Sequence, residues 1–168
     1  KPWNAPSAEV YLLMRAGMVI PVEEHNAMLR DYLAAADSQE RPLKDNSRIV
    51  LSGAFCEQPP LNLVKSIELA GCYIVDDDFM LVNRWEKSDV EVEGDPVANL
   101  AHAFLHNSNS TSAKFEPNPK IKGQFLVDSV RANGAEGVIF AMPSFCDPAL
   151  LDRPMLQNAL KSANIPSI

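Results

Sequence analysis

A chain of 168 residues, 46% apolar and 22% charged, is long enough for one soluble globular domain with a real core. No apolar stretch nears the roughly 18 residues of a membrane span. A formal net charge of −7 without any basic run argues against nucleic acid, since phosphate binding needs clustered Lys and Arg. An anionic small molecule stays open, because a local site can be positive on an acidic protein. The three cysteines form no Cys-x-x-Cys pair, which disfavours a disulfide framework and points to a reducing cytoplasm. The first residues, Lys1-Pro2-Trp3-Asn4, carry neither an initiator Met nor a signal-peptide core, and read as the edge of a longer polypeptide.

In chain order, Ser7 is positioned to cap a helix from Ala8 to Arg15 ending at Gly17. Pro21 opens a second helix, with Glu23 and Glu24 in its first turn and Met28, Tyr32, Leu33 and Ala36 on its apolar face. Residues 38–47 are polar, contain Pro42 and read as a linker. From Arg48 the pattern becomes strand, turn, helix: a buried strand to about Gly53, a helix from Leu61 to Ala70 stopped by Gly71, and a second strand from Cys72 to Val75. Residues 79–93 form an irregular excursion. Asp95-Pro96 starts a helix with Val97, Leu100, Ala101 and Phe104 as its apolar positions. A loop over 107–119 precedes a helix from Ile121 to Ala132, with Phe125, Leu126 and Val130 inward and Gly134 after its end. A third strand spans Gly137 to Met142, a helix from Leu150 to Ala163 is entered or broken at Pro154, and Ile165 begins a fourth strand. The expected fold is α/β: a Rossmann-like or flavodoxin-like three-layer domain with a mainly parallel sheet of about four strands, preceded by two helices. The expected division is 1–47, a helical segment and linker, and 48–168, the α/β domain.

Cys56 and Cys146 each sit in a tight turn just past a buried strand, the second within Pro143-Ser144-Phe145-Cys146-Asp147-Pro148. The carboxyl ends of parallel strands form the crevice where ligands bind. With strand order 2-1-3-4, both thiols hang over one crevice and could share a soft ligand, a metal or an iron–sulfur cluster. The bland alternative is that each packs as a small hydrophobe. Cys72 lies at the opposite end of its strand and reads as structural. Asp76-Asp77-Asp78 could bind a hard cation, accept hydrogen bonds from loop amides, or face solvent. Arg84 could meet a phosphate or pair with one of these aspartates. His102 and His106 have i, i+4 spacing but lack the Glu of a His-Glu-x-x-His motif, and read as helix-surface histidines. No phosphate-binding loop or Gly-x-Ser-x-Gly elbow occurs.

The segments Leu51-Ser52-Gly53-Ala54-Phe55-Cys56-Glu57 and Asp76-Asp77-Asp78, and above all Phe145-Cys146-Asp147-Pro148 after a Gly-Val-Ile strand, resemble the 2-hydroxyacyl-CoA dehydratase and benzoyl-CoA reductase family. The resemblance is greatest on the benzoyl-CoA reductase side and runs from about Ser7 to the end. It implies the C-terminal part of a longer, substrate-reducing subunit. Cys56 and Cys146 match two ligand positions of a low-potential 4Fe–4S cluster, with Glu57 and Asp147 beside them tuning it. Asp77 and Arg84 are the substrate-binding candidates. A further family cysteine lies upstream and has no counterpart here. The implied partners are a homologous cluster-bearing subunit, ATP-hydrolysing electron-activating subunits with a ferredoxin-type donor behind them, and an aromatic CoA thioester reduced by single electrons. A 2-hydroxyacyl-CoA dehydratase subunit is the alternative within the family. A redox-inert α/β scaffold that mediates contact between subunits is the alternative outside that chemistry.

Overall fold

The computed structural model describes residues 1–53, 59–79, 88–107, 118 and 121–168. Their elements run α1 (Ser7–Ala16), α2 (Val22–Ser38), β1 (Ser47–Ser52), α3 (Leu61–Leu69), β2 (Cys72–Asp77), α4 (Pro96–His106), α5 (Gln124–Ala132), β3 (Gly137–Phe140) and α6 (Asp147–Ser162). The three strands form one sheet ordered β2-β1-β3, the order expected for strands one to three. The chain divides into two compact units, Lys1–Arg48 with Pro59–Val75, and Ile49–Gln58 with Asp76–Ile168.

In the first unit α1 packs on α2 and α3. Ser7 does not cap α1. Pro6 takes that position with its carbonyl accepting the first helical bonds. The Ser7 hydroxyl donates instead to Ile74 O at 3.1 Å and its N–H to Glu68 Oε1 at 2.6 Å. Local sequence could not reveal partners more than sixty residues away. On α2 the half-buried positions are His25, Leu29, Tyr32 and Ala36, whereas Met28 and Leu33 are exposed. The inward stripe is therefore rotated from the expected one, and His25 Nε2 sits 2.9 Å from Leu13 O on it. Arg41 grips Glu9 through two bonds of 2.9 and 3.1 Å, and Tyr32 donates to the same carboxylate at 3.0 Å. The Arg41 bonds hold the Glu9 carboxyl below its ordinary range. Burial, reinforced by Glu9, pushes the Tyr32 hydroxyl up to about 12.

In the second unit β1 and β3 pair in parallel, with Ile49, Val50, Leu51 and Ser52 opposite Gly137, Val138, Ile139 and Phe140. The expected fourth strand is represented by a single parallel bridge, Val138 to Ser167, on the outer side of β3. The core joins Val50 and Val138 to Leu126, Val127 and Val130 of α5 and to Leu156 and Leu160 of α6. Gly134 takes φ +56° just after α5, the left-handed turn expected there. The last helix starts earlier than expected, at Asp147, and continues through Pro154.

The apolar positions of one helix face outward. On α4 the apolar positions Val97, Leu100, Ala101, Phe104 and Leu105 are all exposed, while Ala103 is buried and Asn99 half-buried. Periodicity identifies the apolar face of a helix but not the face that meets its own chain. Here Asn99 Nδ2 donates at 2.8 Å to the carbonyls of both Glu91 and Glu93, which ties the polar face to the preceding segment. The start of α4 is as expected, with the Asp95 side chain accepting from Val97 N–H at 3.0 Å and Pro96 following.

Candidate functional site

β1 is buried from Ile49 to Ser52, as a strand covered on both faces must be. At its carboxyl end one carboxylate reaches both residues of the exit. Asp78, 4% exposed, accepts from Gly53 N–H at 2.7 Å through Oδ1 and from the Ser52 hydroxyl at 2.8 Å through Oδ2. Its own N–H donates to Leu51 O at 3.3 Å. A carboxylate this deep needs such donors to offset lost hydration. Asp78 therefore anchors the backbone at the residue where the described part of this segment stops, three positions before Cys56.

The other two aspartates are used in the same manner. Asp77 accepts from Phe79 N–H at 2.9 Å, an Asx turn. Asp76 accepts from Asp77 N–H at 2.9 Å, from the Ser129 hydroxyl, and from Asn133 Nδ2 at 3.2 Å. Of the readings open for this run, acceptance of amide and hydroxyl hydrogen bonds is the one observed. Among the described residues no three His, Cys, Asp or Glu side chains are gathered as a metal site.

β3 leaves the sheet beside β1. Phe140 is opposite Ser52, and Ala141 N–H donates to Ser52 O at 2.8 Å. The chain then turns within six residues. Cys146 N–H donates to Pro143 O at 3.2 Å, and Phe145, 95% exposed, takes φ +66°. A left-handed conformation is unfavourable for a bulky residue and marks a turn held by its surroundings. Its effect is to put the half-buried Cys146 at the N-cap of α6. The Cys146 carbonyl accepts the helical bond from Leu150 N–H at 3.0 Å. Asp147 and Pro148 form the first turn, and Asp147 is exposed. The partial positive charge of a helix N-terminus suits an anionic ligand atom such as a thiolate sulfur.

Parallel pairing of β1 and β3 thus places the carboxyl ends of both strands, Ser52 and Phe140, at the same sheet edge. Cys56, Glu57 and Arg84 lie outside the described residues. Cys72 opens β2 and is half-buried. It lines a cavity of about 410 Å³ in the first unit, together with Trp3, Lys65 and Tyr73. Asp78 was among the candidates only as one of a run of three, and the roles of Ser52 and Arg153 at this edge were not foreseen. Ser52 and Asp78 could have been suspected as polar groups beside a buried strand, which must find partners. Arg153, whose guanidinium lies 5.6 Å from the centre of the Phe140 ring, gave no local signal.

The family model of the 2-hydroxyglutaryl-CoA dehydratase D-component matches residues 1–168. The chain belongs to that family. It is 60% identical over its whole length to a benzoyl-CoA reductase subunit of Thauera aromatica, covering 44% of that protein. It is 26% identical over 156 residues to the (R)-phenyllactyl-CoA dehydratase beta subunit of Clostridium sporogenes, with 93% of this chain and 40% of the relative aligned. The lactoyl-CoA dehydratase beta subunit of Anaerotignum propionicum is 24% identical over 160 residues, with 94% and 41% aligned. The chain therefore spans less than half the length of these relatives. The resemblance drawn from Phe145-Cys146-Asp147-Pro148 is borne out. No helix among the described residues is long and apolar enough to cross a membrane.

Proposed function

We infer that this chain is part of the substrate-reducing subunit of an ATP-dependent benzoyl-CoA reductase, working in the cytoplasm. The observation that carries this reading is the contrast in similarity: 60% identity to a relative from a benzoyl-CoA reductase, and only 26% and 24% to relatives from dehydratases. Residues 48–168 are the cluster-binding domain and 1–47 its helical preface. Cys56 and Cys146 would hold a 4Fe–4S cluster together with donors from the rest of the subunit. Thiolates suit iron–sulfur ligation, whereas carboxylate oxygens suit harder cations. When bound, the cluster supplies single electrons at low potential for dearomatising the ring of benzoyl-CoA to a cyclohexadiene thioester.

The protein's share of the work is positional. Asp78 and Ser52 fix the exit toward Cys56, and the turn at Phe145 fixes Cys146 at the start of α6. Glu57 and Asp147, next to the two cysteines in sequence, tune the local charge. Asp77 and Arg84 are assigned to substrate contact. A homologous cluster-bearing subunit, ATP-hydrolysing activating subunits and a ferredoxin-type donor complete the electron path.

Iron content of the full-length subunit in its complex tests the ligand assignment. Cys56→Ala and Cys146→Ala should each lower bound iron, and Cys72→Ala should leave it intact. Unchanged iron in both of the first two variants would establish the redox-inert scaffold instead. Electron consumption that depends on benzoyl-CoA tests the substrate, and turnover of 2-hydroxyacyl-CoA alone would move the chain to the dehydratases.

A further inference from the structure

Two of the three histidines of the chain, His102 and His106, lie one turn apart on α4, with ring centres 4.5 Å apart and planes inclined at 43°. Residues four apart on a helix are rotated by only about 40° from each other, so both side chains leave the same face. Both residues are exposed. No hydrogen bond or ion pair to a described residue engages either ring. His25, by contrast, sits 2.9 Å from Leu13 O. Two imidazoles meeting at this distance without a shared proton acceptor suggest a common electrophile.

We propose that His102 and His106 form a two-imidazole clamp for a divalent transition-metal ion of the zinc, copper or nickel class. A metal about 2.0–2.1 Å from one nitrogen of each ring, with the bonds at about 90–110°, sets ring centres roughly 4.5–5.5 Å apart. The observed separation falls at the near edge of that range. Neutral imidazole is the preferred ligand of these ions, while magnesium and calcium prefer oxygen. His106 is the last residue of α4, where the negative end of the helix dipole favours a cation. The net charge of −7 draws cations toward the surface. The helix is also a firm base for such a pair, being capped by Asp95 and braced by Asn99. Water would fill the remaining coordination positions, so this ion is distinct in ligand chemistry from the thiolate-held cluster.

Calorimetric titration of the full-length subunit with Ni²⁺ tests the clamp. The result expected is a histidine-dependent site of one equivalent, weakened at least about tenfold by His102→Ala and by His106→Ala and unaffected by His25→Ala. The double variant H106N/N107H keeps three histidines but moves the second one about 140° around the helix from the first. It should lose affinity like the single variants. Circular dichroism of each variant should match the parent in total helix content. Equal affinity in the parent and both alanine variants, full affinity in the displaced-histidine variant, or no histidine-dependent site at all would overturn the clamp.

Discussion

Replacing Asp78 with Ala removes the carboxylate that bonds both Gly53 N–H and the Ser52 hydroxyl at the β1 exit. Hydrogen bonds to a charged acceptor contribute about 1.5–3 kcal/mol each, and a buried donor left without its acceptor costs about 1–3 kcal/mol. Ser52 is fully buried, so water cannot replace the lost carboxylate there. Removing the carboxylate also relieves its own burial, which offsets part of the loss. The expected net destabilisation is about 3 kcal/mol. For a chain of this length that lowers the melting midpoint by roughly 6–12 °C. Asp78→Asn should cost only about 1 kcal/mol, because an amide can still accept from Gly53 and donate to Ser52. Urea unfolding of both variants, with unchanged dependence on denaturant, provides the measurement. An alanine variant within about 0.5 kcal/mol of the parent, which is the ordinary effect of a surface change, would refute the anchoring role.

Lys122 and Asp152 form a 2.7 Å ion pair with both side chains nearly buried, and Asp152 Oδ2 has no hydrogen-bond partner among the described residues. Lys122→Met should therefore destabilise by about 3 kcal/mol, and adding Asp152→Leu should restore most of it, as chemical denaturation would report. Gly123→Ala places a methyl 2.3 Å from the Ala159 Cβ and should cost about 1–3 kcal/mol through overpacking of α5 against α6. Gly123→Ala combined with Ala159→Gly should recover part of that loss in the same assay. Tyr32 should give the last tyrosinate step, near pH 12, in an absorbance titration that Tyr32→Phe abolishes. Its folded value is raised, so the stability it contributes is present below about 10 and lost as the pH climbs toward 12. Glu9 has the opposite sign. Its value is lowered by Arg41, so its contribution is present above about 4.5 and lost as the pH falls through the folded value. Arg41→Ala should flatten that acid limb in unfolding curves measured against pH.

Features determined within a few residues were legible in the sequence. Asp95-Pro96 announced α4, Gly134 announced the end of α5, and the Gly137-Val138-Ile139 run announced β3. Strand order followed from a general rule of winding, and the parallel register of β1 with β3 bears it out. Features that depend on distant partners were not legible. Ser52 and Asp78 are 26 residues apart, and Ser7 and Ile74 are 67 apart. Which face of α2 or α4 turns inward depends on what else the chain brings against it. At the site, the carboxylate that matters structurally is Asp78, although the run of three offered no reason to prefer it over Asp77. Cys146 was identifiable because a strand end, a proline turn and a helix start all converge on it within a dozen residues.

The outward row of Val97, Leu100, Phe104 and Leu105 governs how preparations of this polypeptide will behave at the bench. The net charge of −7 keeps molecules apart when they are dilute, because like charges repel, and so masks the pull of this greasy ridge. Sulfate or phosphate salts screen that repulsion while strengthening the pull between hydrocarbon surfaces. Light scattering should then rise with such salts, and a single Leu100→Lys exchange should keep the sample clear.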